Sequence, residues 1–242
     1  MTYEEFLPYF DTVMTDNNLS HLMDDERSRK FYDLMTEMLT VNKTMNLTAI
    51  KEEKAVILRH FADSLCVAAF LPENARIIDV GCGAGFPSLP LAISRPDLKI
   101  LALDSTEKRV RYVESTAKLL KLPNLTAIAA RAEELAHTKH RESFDVATAR
   151  AVAALPVLSE LCLPFVRVGG RFIAMKAKKG EEELSAATKS IGELGGEVFA
   201  THNIRLVGNG EVDERLIIEV KKARHTPAAL PRAYAKIVKK PL

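Results

Sequence analysis

One short segment, residues 77–86 (Ile-Ile-Asp-Val-Gly-Cys-Gly-Ala-Gly-Phe), constrains the fold of this chain most strongly. An apolar burst runs into three alternating glycines, and a helix-like pattern follows from Phe86. A buried strand, a tight turn and a helix N-terminus in this order form an arrangement that binds nucleotide-type cofactors. Glycine permits positive φ angles and lets a ligand approach the backbone closely. The segment therefore predicts a cofactor-binding strand–turn–helix unit.

The spacing of the glycines favours one kind of cofactor. Gly81, Gly83 and Gly85 follow a G-x-G-x-G pattern with Asp79 just before it, whereas the dinucleotide fingerprint is G-x-G-x-x-G. A pyrophosphate requires bare N–H donors at a helix N-terminus, and a carboxylate beside them would repel it. S-adenosylmethionine (SAM) carries an ammonium and a sulfonium group and no phosphate, so an acid at the strand end suits it. We therefore expect a SAM-dependent methyltransferase rather than a dehydrogenase; a structural glycine turn in another α/β protein is the alternative.

Length and composition allow one α/β core with an appendage, because two full domains would be cramped in 242 residues. No apolar run approaches the roughly 18 residues of a membrane span, and the first residues lack the features of a secretory signal. The three cysteines are scattered, which indicates reduced thiols rather than a disulfide or zinc framework. We expect a cytoplasmic protein without a metal or a membrane partner, and favour a monomer.

The chain divides into three parts: a helical extension over 1–72, a core over 73–222 and a basic tail over 223–242. Apolar stripes predict helices in the extension, one of them capped by Asp24 or Asp25. From Ala75, strands and helices alternate, which predicts a mostly parallel sheet covered on both faces. The predicted strands are 76–80, 98–103, 124–129, 143–147 and 170–176; the helices are 86–94, 106–120, 153–162 and 180–191. Segments 198–207 and 212–220, around a Gly-Asn-Gly turn, predict a closing antiparallel hairpin.

Ligand groups are expected at the carboxyl ends of the parallel strands. Asp104 lies where an acid accepts hydrogen bonds from ribose hydroxyls, and a helix cap is the alternative. Glu133 either accepts from the adenine amino group or lies at a helix start where the dipole favours an acid, while Ala132 offers a backbone N–H to adenine. Arg150 ends an apolar strand and needs an anion: a SAM carboxylate, an RNA phosphate or a structural salt bridge. Lys176 ends the fifth strand.

The net charge of +2 conceals an asymmetry between the two ends of the chain. Residues 1–26 hold seven acids and neither lysine nor arginine. Seven cations without a counter-charge follow Glu219, and removing them would leave a body of charge −5. A basic tail on an acidic body points to a polyanionic partner such as RNA, with a solvated, extended end as the alternative.

Several runs of residues resemble the RsmG (GidB) family over nearly the whole chain. They are residues 81–91 (G-C-G-A-G-F-P-S-L-P-L), 59–65 (R-H-F-A-D-S-L), 46–50 (N-L-T-A-I), 148–152 (T-A-R-A-V), 158–164 (L-S-E-L-C-L-P) and 239–242 (K-K-P-L). The chain departs from the family at Val41, where tryptophan is usual, and in a tail motif that has Leu230 and Ala233 in place of an aromatic and a cation.

The resemblance implies an α/β fold with a Rossmann-like class I SAM-dependent methyltransferase core and an N-terminal helical extension. It also implies transfer of a methyl group to N7 of a guanine in the 530 loop of bacterial 16S rRNA, with 16S rRNA or the small ribosomal subunit as the partner. The cofactor contacts that carry over are Gly81, Phe86, Ala132, Glu133 and Arg150. Other classes, a methyltransferase of small molecules or proteins and a non-catalytic SAM-sensing RNA-binding module, remain alternatives.

Methylation of guanine N7 requires no general base from the protein, because N7 has a free lone pair and loses no proton. We therefore nominate no acid–base catalyst, and place Arg150 and Lys176 near the acceptor only as positioning groups. His60 either contacts RNA together with Arg59 or belongs to a capped helix face. The candidate RNA-binding residues are Arg59, His60, Lys176, Lys178, Lys179, Arg224, Arg232, Lys236, Lys239 and Lys240.

Overall fold

The fold is taken from a computed structural model that describes residues 1–177, 180–208 and 210–242. Two long helices open the chain, α1 (Tyr3–Asp16) and α2 (Asp25–Met45). A capping box between Thr2 and Glu5 starts α1. The Asp24 side chain accepts from Arg27 N and starts α2, as the sequence predicted.

A continuous helical run follows these two helices. It comprises α3 (Glu53–Val56), a π-helical segment (Ile57–Ala62) and α4 (Asp63–Leu65). The π-helical segment carries Arg59 and His60. Such segments often occur at functional sites, because the extra residue in the turn redirects the neighbouring side chains.

Seven strands form one sheet in the order β3-β2-β1-β4-β5-β7-β6. Strands β1 to β5 are mutually parallel, and β7 pairs antiparallel with both β5 and β6. The prediction of a mostly parallel sheet closed by a hairpin is therefore confirmed; Asn209, in the predicted turn, lies outside the described residues. The strands are β1 (Arg76–Val80), β2 (Lys99–Asp104), β3 (Leu125–Ala129), β4 (Phe144–Arg150), β5 (Val166–Lys176), β6 (Gly196–Gly208) and β7 (Glu211–Lys222).

Helices cover both faces of this sheet. The remaining helices are α5 (Ser88–Ser94), α6 (Glu107–Leu119), α7 (Ala132–Leu135), α8 (Leu155–Cys162), α9 (Gly180–Glu193) and α10 (Tyr234–Lys239). On one face, the N-terminal helices share an apolar core with α5, α6 and the sheet, in which Phe31, Phe61 and Leu89 are fully buried. On the other face, α8 and α9 pack against the sheet around Phe172 and Ile218.

The C-terminal segment, residues 223–242, is not the extended, solvated ribbon that its prolines and charges allow. It packs against α7 and α8, and Ile237 of α10 is fully buried in the second core. Lys222, counted among the tail cations, is also fully buried, and its ammonium donates to Leu163 O. The segment therefore belongs to the folded body of the protein.

Candidate functional site

The glycine loop joins β1 to the elements that form the candidate site. Gly81, Gly83 and Gly85 all have positive φ angles, of 77°, 57° and 85°. The backbone N–H groups of Gly81 and Cys82 both donate to Leu103 O, at 2.7 and 2.9 Å, and so tie the loop to the end of β2. A Cβ on Gly81 would lie 2.6 Å from Val152 Cγ2, so the space beside this glycine is already filled by protein.

A pocket of about 250 Å³ lies at the carboxyl ends of β1, β2 and β3. This is the place where open α/β sheets bind their ligands. Four of the predicted cofactor-binding residues line it together: Gly81, Asp104, Ala132 and Glu133. The other lining residues include Ser105, Arg109, Arg131, Ala151, Val152, Leu161 and Tyr234.

Asp104 holds the start of α6, the helix-cap alternative of the sequence analysis, and it also lines the pocket. One carboxylate oxygen accepts from Gly83 N at 3.0 Å, and the other accepts from Thr106 N at 2.8 Å beside the start of α6. The carboxylate also lines the pocket, where the guanidinium of Arg109 lies 3.7 Å away. Asp104 thus holds the glycine loop and the helix start, and its carboxylate is part of the pocket lining.

Asp79 does not face the pocket, which corrects the expectation that it would meet the cofactor. Side chains alternate along a strand, so Val80 lines the pocket and Asp79 points to the opposite face. There its carboxylate accepts from Ser88 Oγ of α5 and is 1% exposed. Its Oδ1 has no hydrogen-bond partner among the described residues, and burial raises the pKa of Asp79 to about 6. Asp79 therefore anchors α5.

Phe86 is also placed differently from the expectation. Its ring stacks on the imidazole of His60 with centroids 4.4 Å apart, and it is 4% exposed. Arg150 lies over the same ring at 5.4 Å. Phe86, Gly83 and Gly85 are not among the described residues that line the pocket. The two glycines shape the loop, and Phe86 joins it to the π-helical segment.

A second cavity, of about 620 Å³, adjoins the first. Both are lined by Ala151 and Val152, which follow β4. Ala151 has a φ of 56°, an uncommon conformation for a residue with a Cβ, so the chain turns sharply between the two cavities. Four of the predicted acceptor-side residues line the second cavity: Arg59, His60, Arg150 and Lys176.

The charges around the second cavity are paired with one another. Arg150 donates to Asp63 Oδ2 at 2.8 Å and to the Arg59 carbonyl at 2.9 Å. The other Asp63 oxygen accepts from Arg215 at 2.8 Å. Lys176 is 8% exposed and bonds to Glu183 at 2.6 Å. This arrangement supports the salt-bridge alternative for Arg150. Lys176, predicted as a positioning or RNA-contacting group, is buried and paired with Glu183.

His60 is a buried, neutral side chain rather than a surface contact. Its Nδ1 lies 3.1 Å from Arg150 Nη2, and its Nε2 lies 2.9 Å from Thr48 Oγ1. Because arginine can only donate, Nδ1 accepts and Nε2 carries the proton. Burial, with a smaller contribution from the nearby Arg150, lowers the pKa of His60 to about 3. The imidazole thus connects the N-terminal extension to β4.

The remaining predicted RNA-binding cations fall into three groups. Arg59 pairs with Glu211 and Asp213, at 2.6 and 3.1 Å. Arg232 is bound to the fully buried Glu160, which corrects the expectation that the tail cations have no counter-charge. Lys178 and Lys179 lie outside the described residues. The exposed members are Arg224, Lys236, Lys239 and Lys240.

Arg109 and Tyr234 are two of the pocket residues that the sequence interpretation missed. Arg109 lies in the first turn and a half of α6, and its position after the Asp104 strand end could have suggested a place beside the pocket. Tyr234 lies far along the chain from the glycine loop, and no local pattern marks it. Its place follows from the packing of the C-terminal segment.

Two expectations from the sequence concern membrane-spanning segments and the state of the cysteines. None of the helices among them combines the length and the apolar character needed to cross a bilayer. Cys66, Cys82 and Cys162 are all buried free thiols, and burial raises the pKa of each.

Comparison with solved structures shows the fold. TYW2 from M. jannaschii in complex with AdoMet matches with a TM-score of 0.53 at 17% identity, covering 66% of this chain and 74% of that one. P. horikoshii TYW2 in complex with MeSAdo matches with a TM-score of 0.52 at 16% identity, covering 67% and 63%. The predicted Rossmann-like α/β fold is therefore confirmed.

Comparison with related sequences shows the family. A family model described as rRNA small subunit methyltransferase G matches residues 27–208. Two relatives carry the description ribosomal RNA small subunit methyltransferase G. The one from Staphylococcus carnosus is 44% identical over 227 residues, which cover 91% of this chain and 92% of the relative. The one from Ligilactobacillus salivarius is 45% identical over 224 residues, covering 90% and 92%. The chain therefore belongs to the rRNA small subunit methyltransferase G family, as its motifs predicted.

Proposed function

We propose that this protein transfers the methyl group of SAM to N7 of a guanine in the 530 loop of 16S rRNA. The observation that carries the proposal is the pair of adjoining cavities, which share Ala151 and Val152. One cavity has the lining expected for an adenosine group, and the other opens beside it at the carboxyl end of β4. Family membership supports rRNA of the small subunit as the substrate.

The residues of the first cavity suit SAM. The Asp104 carboxylate would accept hydrogen bonds from ribose hydroxyls, and the backbone of Ala132 with the side chain of Glu133 would meet the adenine. Gly81 lines the same cavity, and because it has no Cβ the Val152 side chain can pack against it at the cavity wall. SAM supplies the electrophilic methyl group, and these residues hold and orient its carrier.

The residues of the second cavity would position the acceptor without exchanging a proton. Attack by a ring nitrogen lone pair on the sulfonium methyl group forms a C–N bond as the C–S bond breaks, and no proton leaves. His60 carries its proton on Nε2, bound to Thr48, and Lys176 is paired with Glu183. His60 and Lys176, two titratable side chains that line this cavity, are therefore both bonded to protein partners. Such a site suits an acceptor that needs no general base.

The acceptor must reach the cavity from a loop or an unstacked position. N7 of a guanine in an A-form helix lies in the deep, narrow major groove, which side chains cannot enter. The exposed cations of the C-terminal segment, Arg224, Lys236, Lys239 and Lys240, would contact flanking phosphates and position the strand without reading its sequence. Arg59 could join them only by exchanging its carboxylate partners.

A methyl-transfer assay tests the proposal, with a control variant that removes a different carboxylate. Radiolabelled SAM is incubated with ribosomal RNA from cells that lack this protein, and label is expected in 16S rRNA but not in 23S rRNA. Asp104→Ala should weaken SAM binding by about 1.5–3 kcal/mol, because hydrogen bonds to a charged acceptor are lost. Glu107→Ala removes an exposed carboxylate three residues away and should leave binding unchanged. Label in 23S rRNA alone would overturn the proposal.

A further inference from the structure

The C-terminal segment is fastened to the core directly before Tyr234. Glu160 of α8 is fully buried, and its carboxylate accepts three hydrogen bonds from Arg232: from the backbone N at 2.8 Å, from Nε at 2.9 Å and from Nη2 at 2.6 Å. Arg141 donates to the carbonyls of Thr226 and Leu230, both at 2.8 Å. The position of Tyr234 is therefore set by buried, charge-assisted bonds, which are among the stronger hydrogen bonds in proteins.

Tyr234 is held from its other side as well. It begins α10, and Ile237 in the same helix is fully buried in the second core. The guanidinium of Arg131 lies 5.9 Å from the centre of the Tyr234 ring. Arg131 directly precedes Ala132 and Glu133, so the ring lies beside the part of the first cavity assigned to adenine.

The chemistry of this ring suits a purine. Tyr234 lines the cavity and is 41% exposed, so its ring is accessible to a ligand there. Aromatic side chains bind bases through their faces, and loss of one such contact weakens binding by about 1–3 kcal/mol. The same cavity is also lined by the apolar side chains of Val80 and Leu103 at the strand ends.

We propose that Tyr234 is a cofactor-binding residue whose ring contacts the adenine of SAM, and that the C-terminal segment is the outer wall of the cofactor site. This inference rests on the placement of SAM in the first cavity under the proposed function. It gives the segment a role in cofactor binding that is separate from any contact with RNA.

Equilibrium binding of SAM and of S-adenosylhomocysteine to the full-length protein, without RNA, tests the inference. Tyr234→Ala should raise both dissociation constants roughly tenfold, the effect expected for loss of one base–aromatic contact. Tyr234→Phe keeps the ring and should bind within about twofold of the wild type. The control is Val238→Ala, which truncates a half-exposed residue of the same helix and should bind like the wild type.

Tyrosine fluorescence gives a readout that does not depend on affinity. The chain has five tyrosines and no tryptophan, so tyrosine emission is not masked. Binding of SAM should change the emission of the wild type, and most of this change should disappear in Tyr234→Phe although that variant still binds.

Two outcomes separate a failure of the inference from a failure of the proposed site. If Asp104→Ala weakens SAM binding but a folded Tyr234→Ala binds as tightly as the wild type, Tyr234 does not contact the cofactor. If neither variant weakens binding, SAM does not occupy the first cavity and the proposed site is wrong. A persistent emission change in Tyr234→Phe would also contradict the inference.

Discussion

Substitution of Gly81 by alanine should lower the free energy of unfolding much more than the same change at Gly83, although the two glycines look alike in the sequence. Both have positive φ angles, so each alanine is strained by about 1–2 kcal/mol. At Gly83 the new Cβ would meet no heavy atom nearer than 4.0 Å. At Gly81 it would lie 2.6 Å from Val152 Cγ2, and overpacking of this kind adds about 1–3 kcal/mol. We expect losses of about 2–5 kcal/mol for Gly81→Ala and about 1–2 kcal/mol for Gly83→Ala.

Urea denaturation followed by circular dichroism measures these free energies of unfolding. A second substitution tests the cause of the difference. Val152→Ala removes both clashing methyl groups, so the Gly81→Ala, Val152→Ala double variant should recover most of the additional loss. Equal losses at Gly81 and Gly83, or no recovery in the double variant, would refute the steric explanation.

Three further predictions concern buried titratable groups. Arg232→Ala leaves the Glu160 carboxylate buried without its partner and should lower the free energy of unfolding by about 3–5 kcal/mol. The control Lys239→Ala, at an exposed site, should change this free energy by about 0.5 kcal/mol or less. Equal effects of the two substitutions in urea denaturation would contradict the prediction. The pKa of His60 is lowered from 6.5 to about 3 in the folded protein, so the unfolded chain binds the extra proton and stability falls as the pH drops from about 6.5 towards 3. His60→Asn should flatten this part of the stability–pH curve, and an unchanged slope would argue against a buried neutral imidazole. The pKa of Asp79 is raised from 3.8 to about 6, so its contribution has the opposite sign: it is present below about pH 4 and lost as the pH rises through 6. Asp79→Asn should be more stable than the wild type above pH 6, by up to about 3 kcal/mol, and thermal melts at pH 5 and 8 check this.

Much of the fold was predictable from local patterns. The strand at 76–80 has the predicted bounds, and the hairpin and the cap at Asp24 are where the sequence placed them. The helices α5, α6, α8 and α9 also lie where they were predicted, whereas the short helix α7 after β3 was not predicted. The pocket residues at strand ends were predictable for a related reason. Parallel strands bring their carboxyl ends to one edge of a sheet, which gathers Gly81, Asp104 and Glu133 without further information.

Side-chain direction and distant partners were not predictable in the same way. Asp79 and Val80 are neighbours in sequence, but the alternation along β1 sends them to opposite faces. Arg232 resembles a free tail cation until Glu160, 72 residues earlier, is found to be buried beside it. Arg150 likewise meets Asp63 across 87 residues. Charges that find partners far along the chain cannot be distinguished from solvated charges by composition.

The position of the transferred methyl group decides whether this protein methylates N7 of a guanine in the 530 loop. Ribosomal RNA from cells lacking this protein is treated with the purified protein and SAM, and N7-methylguanine is mapped by mild-alkali chain cleavage and primer extension. We expect one new cleavage, at a guanine in the 530 loop of 16S rRNA, which Asp104→Ala diminishes and Glu107→Ala does not. A methyl group on an exocyclic amine or a ring carbon, or a cleavage elsewhere in the RNA, would contradict it.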